Sequence, residues 1–302
     1  MELTVRERPL PEADNTGKRM SADSKTKSFP AETASPELLK WSVIAAVNNQ
    51  EVLDSCLLRS PEVTKATDLI WQRGYASAAQ AYNEAIDKAT TDILVFAHQD
   101  VFLPAGWLSQ LQKSLEWFAQ NDPQWAVAGI WGVQRSGARC GNVYCTGLGK
   151  RLGTDFAPPV EVRTVDELLF VVRKSSGVRF DKNIPGYHMY GTDICLEAQR
   201  RGLKTYAISA FCIHNTNGYG MLPWQFWKAY LLMRRKWKQA LPIITPCAEI
   251  TAWCGPMIRG NAVQAANLML KRHQIGKRTT DPAQLYRELV AGGKVSPPHS
   301  VS

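Results

Sequence analysis

The chain reads as an α/β protein with a mainly parallel sheet flanked by helices, and three features predict it. Trp41-Ser42-Val43-Ile44-Ala45-Ala46-Val47 and Asp92-Ile93-Leu94-Val95-Phe96-Ala97 are nearly unbroken apolar runs, the pattern of strands buried on both faces. Each stops abruptly in polar residues, Asn48-Asn49 and His98-Gln99-Asp100. Between them, residues 77–89 are Ala-rich with helical spacing. Strand–helix–strand alternation of this kind builds a parallel sheet with helices over its faces.

The remaining elements follow in order. Residues 1–40, rich in Ser, Thr, Pro, Lys and Glu with almost no aromatics, have the composition of a mobile arm. After the first strand, residues 51–58 are helical in pattern. Pro104 and Gly106 punctuate the loop before a helix over 107–119. Residues 125–133 and 168–173 pattern as strands, with the Gly-rich stretch 136–154 between them as a hairpin or mobile loop. Tyr190-Gly191-Thr192 opens a helix running to about Arg201, and Gly202 is its stop. Residues 203–207 and 210–213 are short strands, the second ending at His214. Beyond residue 221 the pattern is helical over 223–239, 262–273 and 282–291. Three parts result: the arm 1–40, an α/β domain 41–220 and a helical extension 221–302.

A chain of 302 residues with 45% hydrophobic and 21% charged residues buries a full core, which excludes extensive disorder, collagen and coiled coil. The net charge of +9 lies wholly in residues 221–302, which hold twelve basic and three acidic residues. A basic segment on a neutral body calls for an anionic partner, a membrane surface or nucleic acid. Seven cysteines, an odd number without a CxxC pair, point to a reducing compartment rather than to disulfides or zinc. The N-terminus has no apolar signal core, and polar residues or prolines interrupt 205–227 and 239–258. The expectation is a cytoplasmic protein, with peripheral contact at the inner face of the membrane open.

Three residues could carry chemistry. Asp100 ends the HQD strand, and ligands of open α/β sheets bind outside strand carboxyl ends. Its carboxylate either caps the next turn or holds a hard cation such as Mg2+ or Mn2+, which in turn binds a diphosphate. Asp193, in Tyr187-His188-Met189-Tyr190-Gly191-Thr192-Asp193, falls in a first helical turn, where the dipole favours negative charge. It is either a cap or a general base. His214, at a strand end before Asn215-Thr216, is either a half-buried ring with one hydrogen bond or a metal ligand. Gly147-Leu148-Gly149-Lys150 fails as a phosphate loop, because Tyr144 stands at the first Walker glycine and Arg151 at the Ser/Thr. Asp166-Glu167 reads as a solvated helix start.

A strand-terminal HQD, then a GTD helix start, then a strand-terminal His resembles glycosyltransferases of the GT-A fold. The nearest group is the family-2-like one that carries HQD in place of DxD. Ala81-Tyr82-Asn83-Glu84-Ala85 and Val178-Arg179-Phe180-Asp181 extend the resemblance, which covers residues 41–220. It implies that Asp100 and His214 bind a divalent metal, Mn2+ or Mg2+. It implies that Asn48, Asn83, His98, Gln99 and Asp100 contact a nucleotide-sugar donor, His98 and Gln99 at the ribose and diphosphate. His188 and Tyr190 would face the acceptor. Asp193 would be the catalytic base of an inverting transfer to a hydroxyl on a glycan, a lipid-linked molecule or another acceptor. His98, replacing the first acid of DxD, removes one negative charge from that pocket.

Residues 223–238 combine aromatic and basic residues at helical spacing, so they either lie in a membrane interface or pack a Trp face on the body. Two rival functions stand beside the transferase. One is a sugar-nucleotide-binding protein without catalysis. The other is a nucleic-acid-binding protein acting through the basic extension, which is disfavoured because no surplus charge lies in the α/β domain.

Overall fold

The chain, as a computed structural model, is described over residues 39–218, 221–270 and 276–296. The expected arm therefore lies almost wholly outside the described residues, as does the end of the helix expected to reach His273. The fold enters through β1 (Trp41–Ala46), α1 (Gln50–Ser55), β2 (Asp68–Gln72), α2 (Ala78–Lys88) and β3 (Ile93–Ala97). β1 pairs in parallel with both β2 and β3. Ser77 caps α2, its hydroxyl accepting from the Gln80 N–H.

Alternate residues of the central strands feed two separate cores. Trp41, Val43, Ala45, Val95 and Ala97 join one cluster with Trp107, Leu111 and Phe118. Ile44, Leu94 and Phe96 join another with Tyr82, Ala85, Tyr190 and Ile194. A period of two with both sets apolar is what a sheet covered on both faces demands. The mainly parallel α/β architecture expected from the sequence holds, with antiparallel members as well.

Next come β4 (Val101–Phe102), α3 (Trp107–Asn121), β5 (Val127–Gly129), β6 (Trp131–Val133), β7 (Arg139–Cys145), β8 (Lys150–Gly153), β9 (Val160–Glu161), β10 (Thr164–Val165), β11 (Leu169–Arg173), α4 (Tyr190–Arg200), β12 (Thr205–Ala207) and β13 (Cys212–His214). The large sheet has the order β2-β1-β3-β11-β5-β12-β9, and a smaller one runs β10-β6-β7-β13-β4, with β8 on β7. The strand expected over 125–133 is thus two strands in two sheets. It changes sheet at Gly129, where a Cβ would lie 2.5 Å from the Val165 side chain. The stretch 136–154 is the β7–β8 hairpin. β2 went unread because it is an edge strand, half exposed and without alternation.

The extension contributes α5 (Trp224–Lys236), β14 (Ile243–Ile244), β15 (Glu249–Ile250), α6 (Gly255–Met269) and α7 (Pro282–Ala291). From Leu39 onward the chain is a single compact unit. In α5, Phe226, Ala229, Tyr230 and Met233 are buried and pack with Ile184, Met189 and Leu196 of the α/β body. Of the two readings for 223–238, the packing one describes this helix. Phe226 and Tyr230 are spent on the core, while Trp224 stays 68% exposed.

Candidate active site

β3 ends at Ala97, and His98-Gln99-Asp100 turns the chain into β4, with the Val101 N–H on the His98 carbonyl at 3.1 Å. β4 pairs antiparallel with β13, setting His214 opposite Val101, and the Asn215 N–H reaches the Asp100 carbonyl at 2.8 Å. Register alone therefore carries His214 to Asp100, Nε2 to Oδ1 at 3.5 Å. His98 lies edge-on to His214, with ring centroids 5.7 Å apart. One ligand atom each from His98, Asp100 and His214 falls within 4.8 Å of the others, so the trio could hold a metal ion. Two imidazoles and a carboxylate are a fitting donor set for a divalent cation of the first transition row.

Positive charge converges on the Asp100 carboxylate. Burial acts to raise its pKa, but His214, His98 and Arg278 overrule burial and hold it far below the usual carboxylate range. For His214, burial acts downward, while the hydrogen bond and charge of Asp100 push the pKa up to about 10. His98 goes the other way, because burial lowers its pKa more than Asp100 raises it.

Arg278 arrives on a strap from the extension. Its Nη2 donates to Asp100 Oδ2 at 3.1 Å and its Nε to the Asn215 carbonyl at 2.7 Å. Asn215 clamps the strap with its side chain. Oδ1 takes the Thr279 N–H at 2.8 Å and Nδ2 donates to the Thr279 carbonyl at 2.9 Å. Gly276 adds a backbone bond from its N–H to the Gly147 carbonyl at 3.1 Å.

The other expected site residues divide. Asn48 and Gln99 meet: Gln99 Oε1 accepts the N–H groups of Asn48 and Asn49, and its Nε2 donates to Asn48 Oδ1 at 2.6 Å. They join the ends of β1 and β3 at the same rim. Asn83 does not join them. Its Nδ2 donates to the Phe180 carbonyl at 2.8 Å and its Oδ1 accepts the Phe180 N–H at 3.1 Å, so its amide is committed to the fold. Asn83→Ala is expected to lower stability by about 1–3 kcal/mol by orphaning those groups. Denaturant titration checks the loss, and calorimetry with a nucleoside diphosphate should find affinity unchanged.

Tyr190 also departs from its expected place. It is 1% exposed, and its hydroxyl shares a 3.1 Å hydrogen bond with His98 Nε2. It can orient His98 but presents no surface to an acceptor. His188 is half-buried, its ring edge-on to Phe226 with centroids 5.4 Å apart. Asp193, read from the sequence as either a helix cap or a general base, has no exposed surface. Its Oδ1 accepts from Trp237 Nε1 at 2.7 Å and pairs with Lys236 Nζ at 2.8 Å. Lys236 also meets Asp181 at 2.8 Å and Glu197 at 2.9 Å. Burial raises the Asp193 pKa against the pull of Lys236.

Residues 42–224, more than half of the chain, match a glycosyltransferase-like family. The chain belongs to that family. Among curated proteins it is similar to the ATP synthase subunits region ORF 6 protein of Fuscovulum blasticum, 30% identical over 131 residues, covering 40% of this chain and 50% of that one. The chain thus spans about half the length of that relative. Solved structures similar to it include the mannosyltransferase PcManGT from Pyrobaculum calidifontis in complex with GDP-Man and Mn2+. The identity is 13%, the coverage 86% of this chain and 82% of that one, and the TM-score 0.42. GalNAc-T7 with UDP, GalNAc and Mn2+ gives 13% identity, 68% and 52% coverage and a TM-score of 0.43.

In this glycosyltransferase-like protein, two residues that sequence reasoning missed lie outside the family-matched span. Arg278 and Lys236 each place a cation on a carboxylate, Asp100 and Asp193, inside it. Their signal was only the concentration of basic residues beyond 221. Glu167 was misread. It precedes no helix but lies between β10 and β11, where its carboxyl takes the N–H groups of Met189 and Gly191 at the start of α4. Burial, with Asp166 adding to it, pushes its pKa up to about 8.

Proposed function

We propose that the chain transfers a sugar from a nucleotide-diphosphate donor to an acceptor hydroxyl, with inversion, as a glycosyltransferase of the GT-A kind. The observation that supports this most is the meeting of His98, Asp100 and His214 at the end of β3, with Asn48 and Gln99 on the same rim. A divalent cation, Mn2+ or Mg2+, held by these three side chains would supply positive charge to the leaving diphosphate. Gln99 and Asn48 bind the donor at the ends of β1 and β3. Tyr190 holds the His98 ring, and Arg278, tied by Asn215, keeps a fixed positive charge beside Asp100. Such prearranged charge lowers a barrier because nothing need reorganise as the leaving group departs.

Asp193 is assigned the acceptor proton, with Trp237 and Lys236 fixing its carboxylate. A second reading is favoured by its complete burial, namely that Asp193 is a structural partner of Lys236. No disulfide joins any of the seven cysteines, which favours a reducing, cytoplasmic setting. No described helix is long and apolar enough to cross a membrane.

The test is a thermal-shift panel of uridine, guanosine, thymidine, cytidine and adenosine diphosphates, each with and without Mn2+. One diphosphate is expected to raise Tm only with the metal, as binding to the native state alone requires. If none shifts Tm at millimolar concentration, the transferase reading falls.

A further inference from the structure

α6 is turned inside out. Most surface helices direct their apolar arc to the core. Here Met257 is buried at 8% exposure, whereas Ile258, Val263 and Met269 are 57%, 53% and 83% exposed, and Leu270 just beyond is 58% exposed. Ala262 and Ala266 are exposed as well. At about 100° per residue these six positions form one continuous outward arc of roughly 140°. Arg259, also exposed, sits within it. Trp253, two residues before the helix, is 68% exposed. No other described segment covers this arc, and a contiguous exposed apolar face of this kind marks a contact surface.

We propose that the outward face of α6 docks the protein on an anionic lipid surface, with the helix lying in the interface plane. The charge of the extension selects this occupant. The twelve basic and three acidic residues of 221–302 surround the arc in sequence, and Lys271-Arg272 follows it directly. An exposed aliphatic arc that includes Arg259, with a Trp before its start and a net positive charge on its segment of the chain, suits acyl chains below and anionic headgroups around. A second copy of the chain would bring the same positive charge against itself. Nucleic acid would meet aliphatic side chains where its phosphates need cations. Fifteen residues are too few to span hydrocarbon, so the helix lies on the bilayer rather than across it. The sequence left 223–238 open between lipid contact and packing; in that helix Phe226, Ala229, Tyr230 and Met233 are buried, and the longer exposed apolar arc lies one helix later. The inference stands on α6 and does not depend on the transferase reading.

The test is co-sedimentation of the full chain with phosphatidylcholine vesicles, with and without phosphatidylglycerol. The Ile258→Asp/Met269→Asp variant runs alongside, and Tm is recorded for both proteins. Wild type is expected to sediment with the anionic vesicles, less so as salt rises. The variant is expected to lose at least about tenfold in partition at unchanged Tm, because two exposed apolar side chains no longer enter the interface. Failure of wild type to sediment with anionic vesicles overturns the proposal, and so does a variant that sediments as well as wild type. A wild-type dimer in gel filtration that the variant dissociates, with no vesicle binding, also overturns it and makes the face an interface between copies.

Discussion

Replacing Asp100 with alanine is expected to abolish metal-dependent binding of a nucleoside diphosphate and to lower kcat/KM by about a thousandfold. Asp100 is the one carboxylate among the three side chains that could hold a cation, so its loss leaves two imidazoles and no negative charge. Arg278 and His214 would then face the site without their anion. A metal on a leaving group contributes several kcal/mol of transition-state stabilisation, and about 4 kcal/mol corresponds to a thousandfold. Calorimetry with and without Mn2+ separates the effects. Wild type should bind the diphosphate only with metal, and Asp100→Ala with neither. A variant that keeps the metal-dependent term would remove Asp100 from the site.

Much of that site was legible because strand ends are legible. An apolar run that stops at His98-Gln99-Asp100 must end at the sheet rim, and a second that stops at His214 must do the same. What the sequence does not write is which strand ends meet. His214 reaches Asp100 only through the β4–β13 register, and β4 is two residues long. Asn83 shows a different limit of motif reading. It lies in a motif that resembles donor-binding sequence, and its buried amide is tied to the backbone N–H and C=O of Phe180, a partnership no motif reveals. Arg278 is one of twelve basic residues in its region, and only the Asn215 clamp on Thr279 distinguishes it. Inside-out α6 was hidden because a helical period reports an apolar face but not which way it points.

Lys236→Met is expected to cost about 3 kcal/mol of stability, since it leaves the carboxylates of Asp181, Asp193 and Glu197 clustered without their cation. Breaking a buried pair from one side is costly because the partner's charge stays behind, and here three stay behind. Chemical denaturation should show a lower midpoint with an unchanged slope. Asp193→Asn separates the two readings of that residue. As the base, Asp193 gives a variant that binds the donor diphosphate normally but turns over about a hundredfold to ten-thousandfold more slowly. The double variant Asp193→Asn/Lys236→Met is decisive. Removing the carboxylate relieves part of the charge that Lys236→Met exposes, so stability should recover in both readings. Activity recovers with it only if Asp193 does no more than anchor Lys236. A double variant that folds well, binds the donor and still fails to transfer leaves the acceptor proton with Asp193.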